Sequence, residues 1–277
     1  MPPADTAIRS TAGVRDRVVL LVAALRAAGL TADVALVTSA VTRDADPGAP
    51  GLGAFDYALV HVQLKREELW IDPAARYALA GELHGALRGR HALILARGTR
   101  RLVTTPTATS ATNQIAELRT YHLAASPPTI GVTYRAGGLF GRVIRENIAT
   151  QPAAVLRGGL ERVVAYTFRG VVGALTFGNP ADLTQPCDIA LSVERPGTVA
   201  ITDDATTVML TLGDLLTWLD EPLFEQGDAT DQALATRTVD YVWQTPHRAE
   251  LTLRLELPPG HVARAVPLPP RRAIGAM

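Results

Sequence analysis

The chain of 277 residues holds one thiol, Cys187, and six imidazoles, so nucleophilic or metal chemistry has few residues to draw on. A lone cysteine cannot close an intrachain disulfide, and it excludes cysteine-cluster zinc sites and thioredoxin-like pairs. After Gln185-Pro186, Cys187 reads as a small buried hydrophobe. His84 and His91 lack a third ligand at metal spacing and specify no metal. Asp203-Asp204 reads as a solvated turn rather than a cation site, and Ser10 and Thr11 read as cap or turn residues rather than oxygen nucleophiles. Arg88, Arg90, Arg97, Arg100 and Arg101 form the densest positive cluster; without interleaved aromatics it reads as a solvated face, not a nucleic-acid surface. Lys65, the only lysine, sits in Gln63-Leu64-Lys65-Arg66-Glu67 instead of closing a glycine-rich run, which excludes a phosphate loop. Gly51-Leu52-Gly53 is too short for a dinucleotide fingerprint, and neither Gly-x-Ser-x-Gly nor His-Glu-x-x-His occurs. No cofactor is implied.

The elements that would position these residues follow from composition and periodicity. With 47% hydrophobic and 19% charged residues the chain is of the soluble globular kind, long enough for two domains at roughly 150 residues each. Twenty-seven basic residues balance twenty-seven acidic ones, so no global field draws in nucleic acid or an anionic membrane. Met1-Pro2-Pro3-Ala4-Asp5 does not open an export signal, which makes the cytoplasm the default compartment. The apolar run over 18–30 is interrupted by Arg26 and falls short of the ~20 residues that span a bilayer.

Residues 15–28 read as a helix stopped by Gly29, apolar nearly all round and therefore buried. Strands follow over 33–39, 55–64 and 68–72, the last two joined by a hairpin at Lys65-Arg66-Glu67, and another over 91–96. The Thr/Ser/Pro/Arg-rich stretch over 97–112 lacks periodicity and marks a boundary. The expected division is a first domain over 1–100, a linker over 101–112 and a β-rich domain over 113–277. Its strands fall over 129–135, 188–194, 206–212 and 238–243, with helix near 139–168. The clearest strand covers 249–257, where Leu251, Leu253, Leu255 and Leu257 alternate with polar residues, giving one buried and one wet face.

Three short segments resemble the core of the transglutaminase-like superfamily. Ala12-Gly13-Val14-Arg15-Asp16-Arg17 opening the first helix is similar to the family's turn that carries a cysteine. Phe55-Asp56-Tyr57 is similar to its Phe-Asn-His element, and Trp70-Ile71-Asp72-Pro73 to its Trp-Leu-Asp-Pro element. The resemblance covers about residues 11–100 and is weaker beyond, resting there on Asn179-Pro180-Ala181-Asp182-Leu183 and Leu257-Pro258-Pro259-Gly260. It implies an α+β fold: a cysteine-protease-like (papain-like) core followed by a β-rich domain, as in bacterial multidomain members. The family uses a cysteine thiolate at the helix N-terminus, a histidine base and an aspartate that orients it. Here Val14 and Tyr57 stand at the first two positions and only Asp72 is kept, so a degenerate site with no catalytic residues is expected. His61, on Tyr57's side of the strand but roughly 13 Å along it, is too far to substitute. The implied protein is a binding or scaffold module for a protein or peptide partner, or for flanking domains of a longer product. The alternative is a hydrolase or acyltransferase with relocated residues or a site completed by a partner chain. Envelope-located relatives leave the periplasm open as a compartment.

Overall fold

The structure, a computed structural model, describes residues 13–40, 43–48, 51–107, 109–202, 205–210 and 246–262. Ser10, Thr11, Asp203-Asp204, the end of the strand expected over 206–212 and the whole of that expected over 238–243 lie outside the described residues.

The fold is α+β. Helix α1 (Val14–Ala27) begins where the Gly13 N–H donates to Asp16 Oδ2 at 3.2 Å, and ends as Gly29 takes φ +83°, a left-handed position that favours glycine. Only Val18 and Val22 are fully buried, while Val19 is 38% exposed, which corrects the expectation of all-round burial. The outer face carries Arg15, Arg17, Val19, Ala24, Arg26 and Ala27, because a helix lying on one side of a sheet buries only one stripe.

Five strands form the first sheet: β1 (Thr31–Val37), β2 (Tyr57–Gln63), β3 (Glu68–Ile71), β4 (His91–Ile94) and β5 (Val103–Thr104), in the order β3-β2-β1-β4-β5 with every pair antiparallel. The expected hairpin is present, with the Leu64 N–H donating to the Glu67 carbonyl at 2.9 Å. Strand β2 is buried on both faces. Val60 and Val62 pack with Ala32 beneath α1, and Leu59 packs with Trp70, Ala35, Leu83 and Leu87 on the other side. Segment 101–112, expected as a linker, carries edge strand β5. It is held further by Thr105, whose Oγ1 donates to the Leu87 carbonyl at 2.8 Å and accepts the Arg90 N–H at 2.9 Å.

The second sheet uses β6 (Gln114–His122), β7 (Thr129–Gly137), β8 (Val171–Phe177) and β9 (Ile189–Glu194). Helices α2 (Gly138–Thr150) and α3 (Ala153–Phe168) follow β7, and β10 (Val199–Ile201) and β11 (Thr206–Val208) make a separate ribbon. With β12 (Arg248–Glu256) the order is β12-β6-β7-β9-β8, parallel only between β12 and β6. The single helical stretch expected near 139–168 is two helices broken at Gln151-Pro152, since proline cannot continue a helix interior. Val164 and Phe168 of α3 pack on Tyr121, Ile130, Val132 and Val193. Strand β12 departs from the expected one-face burial. Leu251 and Leu253 are half-buried, but Leu255 is 47% exposed, because the strand lies at the sheet edge.

One buried side chain ties α2 to both neighbours. Asn113 accepts the Leu139 N–H at 3.1 Å through Oδ1 and donates from Nδ2 to the Pro246 carbonyl at 3.0 Å. Gly138, at φ +59°, admits no side chain there, because a Cβ would collide with the Thr112 carbonyl and Asn113 Oδ1.

Candidate functional site

Antiparallel pairing of β2 and β3 sets Tyr57, the first residue of β2, near Asp72, the residue after β3. The Tyr57 hydroxyl donates to Asp72 Oδ1 at 3.0 Å, and the same oxygen accepts the Ala74 N–H at 2.9 Å. Asp72 is buried and thereby fixes both the tyrosine and the turn that leaves β3. Partial burial, then the charge and hydrogen bond of Asp72, push the Tyr57 phenol up to about 12. Near neutrality it is a hydrogen-bond donor and not a base.

Val14 is the first residue of α1 and is half-buried. The first turns of the helix border Tyr57 across a cavity of about 310 Å³ lined by Arg15, Val18, Val19 and Tyr57; Val14 lines neither that cavity nor the main cleft. Of the three positions singled out from the sequence, Tyr57 and Asp72 are in contact, and Val14 stands at the helix N-terminus.

The main cleft has a volume of about 520 Å³ and is lined by Ser39, Tyr57, Asp72, Arg76, Tyr77 and His84 from the first half, and by Arg142 and Glu146 of α2. Sequence reasoning missed His84, Arg142 and Glu146 as cleft residues. Arg142 and Glu146 lie one helical turn apart and so share a face of α2, but nothing local shows that this face meets Asp72 across some seventy residues of chain. Arg145, between them, is buried and donates to the carbonyls of Asn179, Pro180, Asp182 and Gln185, so it fastens the 179–185 loop to α2. That loop contains the Asn179-Pro180-Ala181-Asp182-Leu183 segment noted in the sequence.

His84 Nδ1 accepts the Ala86 N–H at 3.2 Å, which leaves the proton of the neutral ring on Nε2. Partial burial and then the Arg142 charge lower its pKa, so the ring is a neutral donor at pH 7.

The remaining candidates are elsewhere. His61 is buried against Trp70, 4.9 Å between ring centres, with Nε2 3.3 Å from Glu68 Oε2. His91 Nδ1 lies 3.0 Å from Asp44 Oδ2. Cys187 is buried, and desolvation raises its thiol pKa, the reverse of an activated nucleophile. The arginine cluster is not a uniformly solvated face as expected: Arg88 Nε donates to the Leu83 carbonyl at 2.8 Å and Arg90 Nε to the Ala86 carbonyl at 2.9 Å, which shapes the 83–90 turn. Arg100 and Arg101 are exposed. No group of three metal-ligating side chains occurs among the described residues, and no helix among them is long and apolar enough to cross a membrane.

Compared with family models, with curated proteins and with solved structures, the chain has no match.

Proposed function

We propose that this chain is a catalytically inert transglutaminase-like module that binds a protein or peptide partner in the cleft between Asp72 and α2. The observation that carries the reading is the Tyr57–Asp72 hydrogen bond at 3.0 Å. It joins the two residues that the resemblance sets at the positions of the family's base and orienting aspartate, beside the N-terminal turns of a helix packed on the same sheet. The order α1-β1-β2-β3, with antiparallel neighbours, supports the same reading.

Inertness follows from the groups themselves. Valine supplies no nucleophilic atom, and a phenol held at about 12 withdraws no proton near pH 7. His84, the imidazole in the cleft, keeps its Nδ1 lone pair on a backbone N–H and presents Nε2–H, so it cannot serve as a base in this arrangement. Ser39 Oγ is engaged with Asp56 Oδ2 at 3.3 Å, so the cleft's serine and imidazole are not paired.

The test is release of ammonium from glutamine peptides, amine incorporation into them, and cleavage of peptide pools at pH 6–9. None is expected. Turnover abolished by His84→Ala or Asp72→Ala would overturn the inert reading and locate the chemistry in this cleft.

A further inference from the structure

Among the described residues no hydrogen bond or ion pair engages Arg142, although this guanidinium is half-buried on α2 and lines the cleft. Glu146, one turn along the same helix, makes no ion pair with it, and Asp72 Oδ1 accepts from the Tyr57 hydroxyl and the Ala74 N–H. Arg76 stands over the Tyr77 ring, 5.8 Å from its centre, and His84 presents its Nε2–H. The cleft therefore offers several donors, while Asp72 engages Tyr57 and Ala74 through Oδ1.

Its formal charges bear on the ligand. Arg76 and Arg142 face Asp72 and Glu146, so the lining is neutral overall, and a dianion such as a phosphomonoester would meet two carboxylates. A monoanion whose charge is met by the half-buried Arg142 guanidinium, with Arg76 exposed at the rim, fits better, and a planar carboxylate matches the fork of an arginine. Size points to more than an isolated ion. Arg142 and Tyr77 also line a second cavity of about 460 Å³, walled by Gln114, Arg135 and the loop that Arg145 fastens. Two adjoining cavities sharing these residues give room for several residues of extended chain.

We infer that Arg142 is the anchor for a carboxylate of a bound peptide, with His84 Nε2–H and Arg76 as further donors and the adjoining cavity accommodating the flanking residues. This rests on the binding reading above and names the ligand chemistry of that cleft.

The experiment uses the full chain and a hexapeptide of alanine, glycine and tyrosine, N-terminally labelled with an uncharged BODIPY dye, in three forms: a central glutamate with an amidated C-terminus, a central glutamine with a free C-terminus, and a central glutamine with an amidated C-terminus. Anisotropy should show binding of at least one charged form and at least about tenfold weaker binding of the uncharged form. The charged form that binds identifies the carboxylate as side-chain or terminal. Arg142→Gln should weaken that form about tenfold without changing the uncharged one, and Arg142→Lys should restore part of the loss. Equal binding of all three forms, no binding of any up to millimolar protein, or an unchanged affinity in a folded Arg142→Gln variant would overturn the inference. Ammonium released from the glutamine forms would instead contradict inertness and leave the carboxylate preference standing.

Discussion

At the scale of single residues the cleft sets donors from Arg76, His84 and Arg142 beside two carboxylates, Asp72 and Glu146, and its titrations report that arrangement. Tyr57 is raised by burial first and by Asp72 second, so Asp72→Asn should lower the phenol pKa from about 12 while leaving it above the ordinary value of 10.0. Alkaline titration of tyrosinate absorbance, with Tyr57→Phe to assign the signal, reads this directly. The sign for stability follows: a pKa raised on folding contributes below pH 10 and is lost between about 10 and 12. His84 runs the other way. Its pKa is depressed by burial and then by Arg142, so its contribution is present above the unfolded value and lost as pH falls through the folded one. Arg142→Gln should raise the His84 pKa, seen in the pH dependence of its ring-proton NMR shift, without restoring the unperturbed value, because burial remains. An unmoved His84 would mean that Arg142 does not face it. Tyr57 and Asp72 were legible because each sits within a short local pattern. His84 and Arg142 were not, since neither a histidine between Leu83 and Gly85 nor an arginine on a helix carries a local sign of what lies opposite.

At the scale of elements the important piece is α2, which brings Arg142 and Glu146 to the first sheet's cleft. Two devices fix it. Gly138 allows the chain to turn from β7 into the helix, and Asn113 caps the junction. Gly138→Ala should cost about 2 kcal/mol or more, from left-handed strain plus the clash with the Thr112 carbonyl. Arg145→Met keeps the apolar stem but leaves four loop carbonyls without their donor, a loss of roughly 3 kcal/mol or more in urea unfolding. A loss below about 1 kcal/mol would show that the 179–185 loop is held by other contacts. The first helix and the β2-β3 hairpin were readable because glycine stops, alternation and a charged tight turn act over a few residues. Strand β6 was not, because its buried face reads Ile115, Glu117, Arg119, Tyr121. The Glu117–Arg119 pair at 2.5 Å, with Arg119 4.8 Å from the Phe168 ring centre, places charge where the pattern expects an aliphatic residue. Strand β5 was hidden likewise, as two residues in a stretch of threonine and proline become a strand only through pairing with β4.

Across the described residues, two five-stranded sheets each carry their own apolar core, and the cleft draws its lining from both halves of the chain. The first half runs α1-β1-β2-β3, with Val14 opening α1 and the Tyr57 hydroxyl donating to Asp72. The proposal that the first half is a transglutaminase-like core with its chemistry removed can be tested by putting the chemistry back. In a Cys187→Ser background, Val14→Cys places a thiol at the N-terminus of α1, where the helix alone should lower its pKa somewhat below ~8.5. Adding Tyr57→His supplies an imidazole that Asp72 can orient. The measurement is the pH dependence of iodoacetamide alkylation in the single-thiol protein with and without Tyr57→His. The account predicts a further fall of the thiol pKa by at least about one unit when Tyr57→His is added, reversed by Asp72→Ala. Identical thiol pKa values with and without Tyr57→His, in proteins that unfold at the same temperature, would contradict it.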